Sequence, residues 1–168
     1  MRAVRDAYAA RAPGRVIPPA AFIDRLGPAV VVASYVPVGG EADPTSFDSA
    51  ARSSGARLAL PHVINRASPI RFLAAGAMLV EGPFGLRQPP AHAEELAPDI
   101  ILTPLVAFDR RLNRLGQGAG HYDRAFAVHP QAWRVGIAWS AQEVDALAAD
   151  PWDVPLHAIA TDREWIER

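Results

Sequence analysis

Ala29 to Tyr35, AVVVASY, is the segment that most narrows what this chain can become. The run is short, continuous and β-branched, with no polar alternation, and so suits a strand buried on both faces. A strand of that kind needs helices on either side of its sheet. Residues 2 to 11 fit a short helix with Val4 and Tyr8 on one face, stopped by Pro13 and Gly14. Pro19 to Leu26 repeats apolar residues at helical spacing, and Thr45 to Ser54 reads as a helix between Pro44 and Gly55. Further strands are expected at Arg57 to Leu60, closed by Pro61, then at Ala77 to Val80, Ile100 to Thr103, Trp133 to Trp139 and His157 to Ala160. Ser140 is expected to cap a helix through Ala148, with Glu143 at its third position. The Pro/Gly-rich stretch from Glu81 to Pro90 reads as a surface loop. Alternating β and α elements predict an α/β domain whose mostly parallel sheet is covered on both faces and collects ligands at the carboxyl ends of its strands.

Composition removes several chemistries. All 17 Lys+Arg positions are arginine, so Schiff-base catalysis and a Walker phosphate loop, both of which need lysine, are excluded. With no cysteine there is no thiolate catalysis, disulfide or Cys-based zinc site. Formal net charge is −1, which gives no field calling for nucleic acid or an anionic membrane. No apolar run approaches the roughly 20 residues of a membrane span, and MRAVRDAYAARAPGR lacks the apolar core of a secretory signal. The expectation is one domain, residues 1 to 168, of a cytoplasmic enzyme or binding protein, monomeric or a weak homodimer.

The stretch from Arg114 to Asp123, RLGQGAGHYD, carries the strongest chemical signal. Gly116, Gly118 and Gly120 alternate, which opens backbone conformations closed to other residues and lets successive amides converge on an anion. Arg114 offers a fork suited to phosphate oxygens, and Asp123 a hard oxygen ligand of the kind Mg²⁺ takes. Tyr122 to Val128 reads as a helix whose N-terminus adds its amides to the same site. Each residue also has a structural reading. The glycines could serve a turn, Asp123 could cap the helix, Arg114 and Glu41 could be solvated charges, and Asp153 could belong to a turn. Phe72, Trp139 and Trp152 fit a core or cleft wall, and the five histidines show no metal-ligand spacing.

Taken together these residues resemble the 5-formyltetrahydrofolate cyclo-ligase family, also called methenyltetrahydrofolate synthetase. The similarity centres on DIILTPLVAFDRRLNRLGQGAGHYDR, Asp99 to Arg124. It extends through ASYVPVGGE (Ala33 to Glu41), Leu60 and Pro61, Ile70 to Phe72, GPFGLRQP (Gly82 to Pro89), VGIAWSAQ (Val135 to Gln142) and PWDVPLHAIATD (Pro151 to Asp162).

The resemblance implies a single three-layer α/β domain, Rossmann-like or NagB-like, and ATP- and Mg²⁺-dependent closure of 5-formyltetrahydrofolate to 5,10-methenyltetrahydrofolate. It implies that Arg5, Arg114, Leu115, Gly116, Gln117, Gly118, Ala119, Gly120, His121 and Tyr122 hold ATP, with Arg114 and Tyr122 in catalytic roles. Val36, Glu41, Phe72 and Gln142 are implied to meet the folate, and Asp123 and Asp153 the magnesium.

Three positions depart from the family pattern. Met1 stands where a lysine is expected four residues before Arg5, Leu112 replaces a usual glycine, and Gln88 replaces a common glutamate. These departures leave a second reading, a catalytically weak member that binds nucleotide or folate as a regulatory module. A third, an RNA-associated module, lacks a basic arm to support it.

Overall fold

The computed structural model describes residues 1–11, 13–76, 78–148, 150 and 153–167. Ala77, the first residue of one expected strand, and Trp152 lie outside them. Among these residues are four helices: α1 (Arg2–Ala9), α2 (Ala20–Ile23), α3 (Thr45–Ser53) and α4 (His121–Val128). The main-sheet strands are β1 (Val31–Ala33), β2 (Arg57–His62), β3 (Arg71–Ala74), β6 (Ile100–Pro104), β9 (Trp133–Ile137), β10 (Ala158–Ala160) and β11 (Trp165–Glu167). Two small antiparallel pairs stand apart, β4 (Val80–Glu81) with β5 (Arg87–Gln88), and β7 (Ala107–Phe108) with β8 (Arg114–Leu115).

The seven-stranded order is β11-β10-β9-β6-β1-β2-β3. Its five central strands pair in parallel, and β3 and β11 close the edges antiparallel. Alternate residues along the central strands enter two cores. Val32, Ile100, Leu102, Val135 and Ile137 meet Phe22 of α2 and Phe47 of α3 on one face. Ala33, Ile101 and Ile159 meet Ala125 and Phe126 of α4 on the other. The expected mostly parallel, three-layer α/β architecture is what forms. From β1 the chain steps to β2 on one side and then to β6 on the other, so the order reverses between β1 and β6. A crevice at such a switch point is where open α/β sheets bind ligands.

Several expectations change in detail. The inward face of α1 is Arg5, Tyr8 and Ala9, since Arg5 is buried while Val4 is 47% exposed. β2 continues through Pro61 to His62, because β1 pairs only with Arg57 to Ala59 and Pro61 needs no donor beyond that point. No helix runs from Ser140 to Ala148. A 3-10 turn at Ser140–Gln142 ends with Glu143 extended, and the β7–β8 hairpin recruits the residues that follow. Val144 N donates to Phe108 O, Leu147 N donates to Asp109 Oδ2 at 3.0 Å, and the Glu143 carboxylate pairs with Arg110. The stretch expected as a plain loop, Glu81 to Pro90, contains the β4–β5 pair and buries Gln88.

Asp109 organises that hairpin. Its carboxylate accepts from Arg111 N, Asn113 N, Asn113 Nδ2 and Leu147 N. Burial pushes this carboxyl up, but those donors outweigh it and hold it below the ordinary aspartate value. The turn they close places Leu112 at φ +67° with its side chain 1% exposed. Leu112 therefore takes the left-handed conformation that a glycine adopts freely, and it is held there by core packing.

Candidate functional site

The carboxyl end of β1 runs into a loop that turns back at once. Tyr35 Oη donates to Ala42 O, Val38 N donates to Glu41 Oε2 at 2.9 Å, and Trp139 Nε1 donates to Gly40 O at 2.9 Å. Gly40 has no room for a side chain, since a Cβ would lie 2.5 Å from Asp6 Oδ1 and 2.8 Å from Asp6 Cα. That close approach brings α1 over the loop. Tyr8 anchors the helix by donating to Asp162 Oδ2 at 2.7 Å and by packing its ring against Trp139. Burial raises the Asp162 carboxyl, but Ser140 N and Tyr8 Oη outweigh it and hold it low.

α1 thereby lays Arg5 beside Glu41. Arg5 Nη1 lies 3.9 Å from Glu41 Oε1, and this nitrogen is buried without a hydrogen-bond partner. Glu41 is 9% exposed, and burial raises its pKa against the lowering donations of Val38 and Gln117 and the charge of Arg5. Its Oε1 accepts from Gln117 Nε2 at 2.6 Å. Arg2 Nη2 donates to Gln117 O at 3.0 Å. The N-terminal helix, the loop after β1 and the glycine loop therefore meet at one point, although they lie far apart along the chain. Val36 lines the same loop, half-buried.

On the far side of the glycine loop a second cluster forms. The Arg114 side chain is 6% exposed, its Nη2 donates to Asp123 Oδ1 at 2.5 Å, and its guanidinium carbon sits 4.9 Å from the Phe126 ring centre. Arg114 Nε is buried without a partner. Burial pulls this guanidinium below its usual value, opposed chiefly by Asp123. Asp153 shares a small crevice with Arg114, Asp123 and Asn113. Asp153 Oδ2 accepts from Asp150 N at 2.8 Å, which is the turn chemistry its sequence suggests. Asp123 is at the third position of α4, but its carboxylate faces Arg114 and the helix has no side-chain cap.

Between the clusters the loop is open at Gly118, while Arg114 and Arg124 guanidinium nitrogens lie close to Gly116 and Gly120. Gly118 and Gly120 take φ +90° and +62°, closed to most side chains, and a Cβ on Gly118 would meet nothing within 4 Å. Arg124 fastens the loop's end by donating to Ala119 O and Arg66 O. His121, at the first position of α4, is kept below the ordinary histidine value by burial and by Arg124 and Arg66. Tyr122 is half-buried beside Phe126. Burial and Glu41 raise its phenol far above the ordinary value, so it is neutral at physiological pH.

These features fit a phosphate chain with a divalent ion. Among the described residues three buried guanidinium nitrogens, on Arg5, Arg114 and Arg124, lack partners, the glycine loop leaves space at Gly118, and Asp123 and Asp153 line one crevice with Arg114. Among the described residues no group of three or more His, Cys, Asp or Glu is placed to hold a metal ion. Asp123 and Asp153 would therefore bind magnesium only with phosphate oxygens and water completing the shell.

Two residues expected to meet the folate are buried in this structure. Phe72 is 1% exposed within the α4-side core, its ring centre 5.8 Å from that of His129. Gln142 is also 1% exposed and spends its amide on main chain, accepting from Trp139 N and donating to Leu105 O, both at 2.7 Å. It ties the end of β9 to the end of β6 behind the crevice. The contacts of Arg2, Tyr8, Trp139 and Asp162 were not assigned from sequence. The i, i+3 spacing of Arg5 and Tyr8 was the only local sign that α1 presents one polar face to the site.

The model of the 5-formyltetrahydrofolate cyclo-ligase family matches residues 14–162. A 5-formyltetrahydrofolate cyclo-ligase of Mycolicibacterium smegmatis is 35% identical over 145 residues, 80% of this chain and 75% of the relative. One from Haemophilus influenzae is 42% identical over 86 residues, but there the match spans only 44% of the relative's length. The solved 5,10-methenyltetrahydrofolate synthetase of Aquifex aeolicus superposes with a TM-score of 0.69 at 28% identity, covering 99% of this chain and 81% of that one. That of Mycoplasma pneumoniae gives 0.63 at 26%, covering 96% and 98%. No helix among the described residues is long and apolar enough to cross a membrane.

Proposed function

The chain belongs to the 5-formyltetrahydrofolate cyclo-ligase family, and from that premise we propose that residues 1–168 close 5-formyltetrahydrofolate to 5,10-methenyltetrahydrofolate at the expense of ATP. The observation that carries the reading is the single glycine loop that joins two clusters. Its Gln117 reaches the buried Glu41 and its Arg114 reaches Asp123.

Glu41 and Val36 receive the folate ring, the carboxylate accepting ring N–H donors that its burial makes selective. Arg5, Arg114 and the amides from Leu115 to His121 hold the phosphates. Asp123 and Asp153 would hold magnesium, which supplies charge neutralisation there. Phe72 and Gln142 support the crevice from behind. The formyl oxygen on N5 is an amide oxygen and a poor leaving group. Transfer of the γ-phosphoryl to that oxygen, with ADP leaving, makes it departable. N10 then attacks the formyl carbon, the carbon–oxygen bond breaks, and phosphate leaves carrying the formyl oxygen and the N10 proton. No protein nucleophile is needed, in keeping with a chain without cysteine or lysine. The protein contributes alignment and charge stabilisation, with the neutral Tyr122 phenol as a donor next to Arg114.

Substrate labelled with ¹⁸O in the formyl group tests the sequence of steps. Label in the released phosphate is expected. Label in formate would overturn the proposal in favour of simple deformylation. The weak-member reading gains support from one feature, the absence of a lysine at Met1, where Arg2 reaches the loop's main chain instead.

A further inference from the structure

Glu41 is a buried carboxylate, and an unpaired buried charge is costly. Val38 N satisfies Oε2. Oε1 has Arg5 only at 3.9 Å, outside hydrogen-bond distance, so the donor that completes it is Gln117 Nε2 at 2.6 Å. Gln117 is itself exposed and comes from a loop 76 residues away. Its main-chain oxygen is separately held by Arg2, so the side chain can swing away without carrying the loop with it.

A primary amide N–H offers a carboxylate the same chemistry as the amino and lactam N–H groups of a pterin-like ring. We propose that the Gln117 amide is an internal stand-in for the folate ring on Glu41, and that the substrate must displace it to bind. The inference rests on the folate reading given above. It makes Gln117 a specificity-determining residue. A ligand with a ring N–H donor replaces the bond that Gln117 gives up, while one presenting only acceptors leaves Glu41 to Gln117. Displacement is inexpensive, because the freed amide stands at the surface and regains its hydrogen bonds from water.

The test is calorimetric binding of 5-formyltetrahydrofolate, without nucleotide, to the unaltered chain, to Gln117→Ala and to Gln117→Met, which keeps length but cannot donate. Both variants are expected to bind about three- to tenfold more tightly, since the competitor is gone. A residue that merely braced the loop would weaken binding when removed. The gain is expected to vanish when the same substitutions are made in a Glu41→Ala background. Unchanged or weaker binding by both variants would overturn the inference and leave the folate reading standing. No binding by the unaltered chain would remove the folate reading, and the inference with it.

Discussion

Arg114 Nη2 lies 2.5 Å from Asp123 Oδ1, so the cation assigned to the phosphate chain and a carboxylate assigned to the metal neutralise one another in the free protein. A magnesium–nucleotide complex brings both opposite charges at once and can take over both partners. Either one alone would leave a largely buried charge unpaired, which favours joint arrival of metal and phosphate.

Replacing Arg114 by alanine is expected to lower kcat/KM for ATP by about 10²–10³-fold, the range for losing a preorganised charge stabiliser. Arg114→Lys should recover little, because an ammonium cannot reproduce the fork or its stacking on Phe126. Steady-state kinetics with ATP as the varied substrate read this directly. Unchanged ATP dependence would refute the role.

For Asp123→Asn the expected result is a rise of about tenfold or more in the magnesium needed for half-maximal rate. The stability loss should be only about 1–2 kcal/mol, since an amide oxygen still accepts from Arg114. Magnesium titrations and a denaturant melt separate these effects. Collapse of the fold with no change in magnesium dependence would favour a purely structural role at the start of α4.

Leu112 allows a test whose sign is unusual. As a fully buried leucine it should cost about 2–4 kcal/mol when cut to alanine. At φ +67° glycine escapes a penalty that alanine retains, so Leu112→Gly should be more stable than Leu112→Ala by about 1 kcal/mol. Urea midpoints decide it. The order would reverse at an ordinary backbone position.

Folate affinity should depend on pH through Glu41. Its pKa is raised, mainly by burial, so the carboxylate that accepts ring donors is lost on acidification at a pH above the ordinary glutamate value. The groups around it, Arg5, Asp6, Gln117 and Val38 N, modify that value without reversing it. Folding runs in the opposite sense: a raised carboxyl contributes stability present below its unfolded pKa and lost as pH rises through the folded one. Binding isotherms from pH 4 to 8 should show an acid limb that Glu41→Gln removes while weakening binding throughout. An identical limb in the variant would assign the titration to another group.

What sequence made legible was local. AVVVASY announced a doubly buried strand because burial on both faces leaves a continuous apolar run, and RLGQGAGHYD announced a loop because its glycines take freely the left-handed backbone angles found at Gly118 and Gly120. Partnerships across the chain were not legible. Nothing near Gln117 points to Glu41, and nothing near Tyr8 points to Asp162. The helix expected after Ser140 fails for the same reason. Ser140 and Glu143 carry the capping spacing in sequence but do not form the cap, since Ser140 Oγ lies beside Asp162 while Asp109 and Arg110, more than thirty residues earlier, claim Leu147 N and the Glu143 carboxylate. Edge strands β3 and β11 escaped notice because four and three residues carry too little periodicity to register. Phe72 and Gln142 sit in motifs shared with the family, but a shared position does not distinguish a residue touching ligand from one holding the wall behind it.

The most direct measurement of the central claim follows the absorbance of 5,10-methenyltetrahydrofolate after mixing the chain with Mg-ATP and 5-formyltetrahydrofolate. The expected result is product formed in proportion to ADP released, abolished by omitting either ATP or magnesium and strongly reduced in Arg114→Ala. No ATP-dependent product at high protein concentration, with both ligands still bound, would contradict the enzymatic reading and leave a nucleotide- and folate-binding module in its place.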